Sequence, residues 1–215
     1  MRKLAPLMIV IALALAGVAS ANLLLNPGFE VNGTQTWTSA YWAWDDPSGN
    51  THGSYWGSIG NQSWHPHTGT NSAYMYKWSV GDQVDSGLWQ ETTNSAGAGS
   101  VWTASGWFYS DANYSNAYRD IRIEFFDGSY GALGTVSNSF AMPGPTYTMV
   151  SVVATAPVNT AWVRLGVEVK HTGMERSEGT FFVDDVSLAI PEPTVAALFG
   201  FAGLIFLAAR RKMRK

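Results

Sequence analysis

Between Asn22 and Leu188 apolar and polar residues alternate in short runs, and no long segment repeats its apolar positions every 3.6 residues. Side chains of an extended chain point to opposite faces in turn, so alternating runs punctuated by Gly, Asn, Asp, Ser and Pro predict strands. They fall at Leu23–Leu25, Thr36–Trp44, Ser72–Ser79, Gly87–Thr92, Val101–Tyr109, Ile121–Phe126, Tyr147–Ala154, Ala161–Val169 and Thr180–Leu188. In the third run Tyr74, Tyr76 and Trp78 share a face opposite Ala73, Met75 and Lys77. In the eighth, Ala161, Val163, Leu165, Val167 and Val169 form an apolar face opposite Trp162, Arg164 and Glu168. One face is expected to pack inward and the other to be wet. Nine short strands without crossover helices predict an all-β fold, an antiparallel β-sandwich of the jelly-roll kind, in which two sheets cover each other's apolar face. Long loops are expected at Asp45–Ser72, Asp111–Tyr118 and His171–Gly179. No repeat or long linker divides residues 22–190, which read as a single domain.

Both ends depart from this pattern. Arg2 and Lys3 precede an apolar run from Leu4 to Val18, and Ala19-Ser20-Ala21 carries the small residues that a signal peptidase accepts. Residues 1–21 are thus expected to be a helical signal peptide, cleaved after Ala21 to leave Asn22 as the mature start. At the other end Pro191-Glu192-Pro193 is followed by an apolar stretch, Thr194–Ala209, and then by Arg210-Arg211-Lys212-Met213-Arg214-Lys215. Sixteen helical residues reach about 24 Å, slightly short of a hydrocarbon core of about 30 Å, so this helix spans with help from its flanking residues. The positive tail is expected to stay in the cytoplasm, with the domain outside. Motif, apolar helix and basic tail together resemble the PEP-CTERM sorting signal of Gram-negative bacteria. Over residues 191–215 the resemblance implies recognition by an exosortase, processing near Pro191, Glu192 and Pro193, and delivery to the cell envelope or extracellular matrix.

The charge and the missing cysteines narrow the class of the middle part. Residues 22–190 hold six basic residues against 15 acidic ones, a net of −9, so a nucleic-acid partner is not expected. With no cysteine, neither disulfides nor thiolate metal sites nor thiol catalysis are available. Asn26-Pro27-Gly28-Phe29-Glu30 near the start, Leu88-Trp89-Gln90, Thr103-Ala104-Ser105-Gly106-Trp107, and Phe181-Phe182-Val183-Asp184-Asp185-Val186 at the close resemble galactose-binding-like jelly-roll domains. They resemble in particular carbohydrate-binding modules of the family 4/9 type. The resemblance implies a structural calcium held by Glu30 and Asp184, with Asp185 as alternate and carbonyls near Gly28 in support. Two converging carboxylates repel, and a hard cation with oxygen ligands relieves that repulsion.

All ten tryptophans and all nine tyrosines lie in the middle part. Flat rings in a groove stack on sugar faces while Asp, Asn, Gln and Arg bond to hydroxyls, which suits a polysaccharide ligand. Trp42 and Trp44 share strand parity, and with Trp56 and Trp64 from the following loop they form the expected binding platform. Trp89, Trp102, Trp107 and Trp162 are assigned to packing. His52, His65 and His67 show no metal-ligand spacing and read as loop residues. No motif singles out a carboxylate pair for glycoside hydrolysis, and the nucleophile-elbow signature is absent from the middle part. The sequence therefore reads as an exported, non-catalytic carbohydrate-binding protein. The rival reading is a structural envelope or biofilm-matrix protein without a specific glycan ligand.

Overall fold

The computed structural model describes residues 21–31, 42–45, 57–77, 85–111, 117–141, 144–171 and 180–190. The helices expected at 1–21 and 191–215 lie outside these, apart from Ala21. Among the described residues no helix is long and apolar enough to cross a membrane. The body, Asn22–Ala189, is one compact unit with ten strands among its described residues. They are β1 (Ala43–Asp45), β2 (Gly57–Gln62), β3 (Ser72–Lys77), β4 (Asp85–Thr93) and β5 (Val101–Ser110), followed by β6 (Ala117–Phe126), β7 (Ala132–Phe140), β8 (Thr148–Thr155), β9 (Trp162–His171) and β10 (Phe181–Ala189).

The strands form two five-stranded antiparallel sheets, ordered β1-β4-β9-β6-β7 and β2-β3-β10-β5-β8. This is the all-β sandwich read from the alternation. Period two is obeyed closely in β5, where Trp102, Ala104, Phe108 and Ser110 are buried while their odd-numbered neighbours are not. In β9 the side chains of Val163, Leu165, Val167 and Val169 are wholly buried, opposite Ile121, Ile123 and Phe125 of β6. Phe108 meets Phe140 at 4.7 Å and Phe181 at 5.8 Å between ring centroids, so aromatic packing supplies much of the core. Fully burying each such side chain contributes roughly 1.5–3 kcal/mol, which lets the fold stand without disulfides.

Two strands escape the sequence pattern. β2 lies inside the expected loop Asp45–Ser72, and β7 has no counterpart among the nine expected strands. β2 reads Gly-Ser-Ile-Gly-Asn-Gln, residues that usually break strands. β7 runs along the edge of its sheet with nearly every side chain exposed, so it needs no apolar face. Of the expected run Thr36–Trp44, residues 36–41 lie outside the described residues.

The stretch Leu23–Leu25 is not a ladder strand, but it is tied to β10. Leu23 N–H donates to Leu188 O at 2.9 Å, and Val186 N–H donates to Pro27 O at 3.0 Å. The Asn22 side chain completes the tie: its Nδ2 donates to Val186 O at 2.8 Å, and its Oδ1 accepts from Leu188 N at 3.1 Å and Leu24 N at 3.2 Å. Asn22→Ala removes all three bonds. The expected loss is about 1–2 kcal/mol of unfolding free energy with an unchanged denaturant slope, measured by urea titration of tryptophan fluorescence.

Candidate functional site

A sandwich offers two outer faces, and this one treats them differently. On the outer side of β2-β3-β10-β5-β8, the segment 63–71 lies across the sheet. The His65 ring stacks on Tyr109 at 4.6 Å and meets Phe182 edge-on at 5.1 Å, while the His67 ring stacks on Trp107 at 4.2 Å. Tyr147 packs edge-on against His67 and donates its hydroxyl to His65 O, and burial pushes the Tyr147 phenol well above its usual range. Ser72 Oγ donates to Trp64 O at 2.7 Å. The histidines expected in a polar loop instead cover aromatic rings.

Under that segment lies the acidic corner foreseen in the sequence. A register shift in β10 between Asp184 and Ser187, with Asp185 at φ +45°, turns Asp184 and Asp185 toward the same loop. A bulge leaves two residues opposite one, which is why strand parity alone could not choose between them. Asp184 is fully buried, and burial pushes its carboxyl up to about 6 despite backbone N–H bonds from Asp185, His67 and Thr68. Asp185 Oδ2 lies 2.7 Å from His67 Nδ1, and its Oδ1 accepts from Thr68 Oγ1 at 2.8 Å. Glu30 accepts from Thr70 N, Thr70 Oγ1 and Asn71 N. These donors hold its carboxyl below the usual value, against the opposing effect of burial, the largest single influence on it.

The outer side of β1-β4-β9-β6-β7 carries no such cover among the described residues. In register, β4 contributes Trp89 and Glu91, β9 contributes Trp162, Arg164, Gly166 and Glu168, and β6 contributes Asp120, Arg122, Glu124 and Phe126. Arg122 Nε donates to Glu124 Oε1 at 2.9 Å, and its Nη1 reaches Glu168 Oε2 and Asp120 Oδ1. Arg164 Nη2 bonds Glu91 Oε2 at 3.2 Å, and its Nη1 lies 3.7 Å from Glu124 Oε2. The Arg164 guanidinium also lies 3.9 Å over the Trp89 ring and 4.7 Å from Phe126, so rings and carboxylates together hold it in one orientation. At the end of this array Tyr130 stacks on Trp162 at 5.4 Å with planes 15° apart, and its hydroxyl donates to Glu91 Oε1 at 3.2 Å. Tyr130 is half exposed. Gly166 makes room for the arginine: a Cβ there would come within 3.1 Å of Arg122 Nε and 3.2 Å of Arg122 Cγ. The wet face expected of β9 is therefore an ordered lattice of charge in which Glu168 is 4% exposed.

Of the tryptophans chosen from sequence, neither Trp42 nor Trp64 stands on this face. Trp42 is buried, packs on Phe29 at 5.0 Å and donates its Nε1 to Asn26 O at 3.0 Å, so it is a packing residue rather than part of a platform. Trp64 is 55% exposed and rests on Tyr74 at 5.8 Å beside the other sheet. The backbone of Trp44 pairs with Leu88 in β1, and Trp56 lies outside the described residues. Trp102 and Trp107 pack as expected, whereas Trp89 and Trp162, also assigned to packing, line the open face. Their signal was present in the sequence: Trp162, Arg164 and Glu168 share one parity in β9, as do Arg122 and Glu124 in β6. Asn22 opens the body and Ala21 precedes it in sequence, while Pro191, Glu192 and Pro193 lie outside the described residues. Among the described residues no three His, Asp or Glu side chains converge in a set that could hold a metal ion.

No protein-family model matches the chain, and no curated protein matches it in sequence. Solved structures share its fold at low identity. The enzymatically active domain of tailspike protein 4 from bacteriophage CBA120 is 13% identical, with a TM-score of 0.57 over 79% of this chain; the match spans 21% of that protein, about a fifth of its length. A Stig cyclase from Fischerella sp. TAU is 14% identical, with a TM-score of 0.54 over 79% of this chain and 97% of the cyclase. The CBM22-1 xylan-binding domain from Paenibacillus barcinonensis is 13% identical, with a TM-score of 0.52 over 82% of this chain and 98% of that domain. These likenesses support the β-sandwich, a scaffold used by carbohydrate-binding modules and by enzymes alike.

Two outcomes are expected of this geometry. Trp42→Ala empties a core position and should lower stability by about 3–5 kcal/mol in denaturant titration. Asp184 has its carboxyl raised from 3.8 to about 6, so the folded state binds the proton more tightly than the unfolded chain. Its contribution therefore lowers stability as pH rises from about 4 to 6 and is level above that. Asp184→Asn should flatten that part of the melting temperature against pH profile.

Proposed function

We propose that the body is a non-catalytic polysaccharide-binding module that uses the open face of β4, β9 and β6. The observation that carries this reading is the Arg122–Arg164 lattice set among Trp89, Phe126, Trp162 and Tyr130. Such a surface offers ring faces for stacking and fixed donors and acceptors for sugar hydroxyls, and it is long enough to take a chain rather than a single sugar. The xylan-binding neighbour, covered almost end to end, lends the reading support. Glu91 and Glu124 each direct both oxygens to Arg or Tyr partners, an arrangement suited to holding a ligand rather than cleaving it.

Export and sorting are part of the same proposal. Signal peptidase would cut after Ala21, and the first mature residue, Asn22, is the one whose side chain is bonded into β10. An exosortase would then act near Pro191-Glu192-Pro193 and deliver the body to the envelope or matrix of a Gram-negative bacterium. The rival reading, an inert structural or matrix domain, is favoured by one observation: on the described face every guanidinium already has a carboxylate partner.

The two readings separate on a glycan array probed with the purified protein. Binding to at least one polysaccharide is expected, with Trp162→Ala and Tyr130→Ala each weakening it tenfold or more, about 1.4 kcal/mol, while the melting temperature stays near wild type. Gly166→Ala should weaken it too, by displacing Arg122. Silence across the array establishes the inert reading, and turnover of chromogenic glycosides overturns the non-catalytic one.

A further inference from the structure

The corner at Glu30, Asp184 and Asp185 is where the family resemblance implies calcium, and its donors bear on whether the residues suit that ion. Calcium needs about six to eight oxygen ligands with lone pairs turned toward it, at roughly 2.3–2.6 Å. Here all six carboxylate oxygens accept hydrogen bonds. Glu30 Oε1 accepts from Thr70 N at 2.9 Å and Asn71 N at 3.1 Å, and its Oε2 from Thr70 Oγ1 at 2.6 Å. Asp184 Oδ2 accepts from His67 N at 2.8 Å and Thr68 N at 3.2 Å, and its Oδ1 from Asp185 N at 2.7 Å. Asp185 meets Thr68 Oγ1 through Oδ1 and His67 Nδ1 through Oδ2. Backbone N–H dipoles aimed at a carboxylate do what a cation would do there, and their positive ends oppose a second positive charge.

We propose that the segment His67–Asn71 is an internal substitute for the calcium ion, clasping Glu30 and the Asp184–Asp185 pair so that the corner closes without metal. The two anchors grip the segment from opposite ends, Asp184 at His67 and Thr68, Glu30 at Thr70 and Asn71. Gly69 stands between them at φ +64°, a conformation open to glycine and strained for other residues. A Cβ at that position would also fall 2.2 Å from Glu30 Oε1. The residues present therefore do not suit the ion. The inference is independent of the glycan reading.

The test uses the full-length protein in detergent. Thermal unfolding followed by tryptophan fluorescence is compared in excess calcium and in excess chelator, and terbium is titrated as a luminescent calcium analogue near Trp107. The expected results are equal melting temperatures in the two conditions and no more sensitised terbium emission from wild type than from Glu30→Gln or Asp184→Asn. Gly69→Ala should lower the melting temperature by the same amount with calcium as with chelator. A calcium-dependent rise in melting temperature, or terbium emission above that of the two carboxylate variants, overturns the proposal. If a variant fails to fold, the wild-type melting temperatures in calcium and in chelator decide the matter alone.

Discussion

Strand β9 is hydrogen-bonded along its length to β4 on one side and β6 on the other, and that double pairing fixes which way every side chain of the central sheet points. The side period of a strand is two, so a one-residue slip of β6 would turn Arg122 into the core and Ile121 and Ile123 into water, and a slip of β9 would do the same to Arg164 and Leu165. Burial of the odd-numbered valines and leucine of β9 enforces the register. The lattice of charge on the other side is thus a by-product of core packing, and it costs little extra order to hold. Carboxylates at partial burial are met there by guanidinium groups at neighbouring positions, as cross-strand pairing favours.

The same pairing logic shapes the opposite sheet with another outcome. The outward side chains of β3, β10 and β5 include Tyr74, Phe182, Trp107 and Tyr109, which would leave a broad aromatic surface exposed. The segment 63–71 removes that exposure with two imidazole rings laid on two larger rings, and the acidic corner fixes the far end of the segment. One face is occupied by the chain itself, while the other is open among the described residues. This division of labour, rather than any single residue, decides where a ligand can approach.

Much of the fold was legible because burial leaves a periodic trace. Runs such as Val163-Arg164-Leu165 and Ile121-Arg122-Ile123 announce strands with one face inside. β2 and β7 leave no such trace, since an edge strand with exposed side chains is under no pressure to alternate. The face of β4, β9 and β6 was read less well. Counting tryptophans by sequence proximity grouped Trp42 with Trp44, yet Trp42 is a core ring whose indole N–H is taken by Asn26 O. Trp89 and Trp162 are distant in sequence and share a face only through antiparallel registers that no local pattern encodes. Glu30 and Asp184, in motifs at opposite ends of the domain, are both held by the segment 67–71. The donors that face those carboxylates come from a third segment with no signature of its own.

The knot of bonds that Asn22 makes with Val186 and Leu188 brings the beginning of the body beside its last strand. A polypeptide whose entry and exit adjoin can be strung between other segments like a bead on a looped thread, adding little length to the string. Joining those ends by a short bridge and reopening the chain at the β6–β7 turn would leave the pairing of the remaining strands undisturbed, so the architecture is suited to circular permutation.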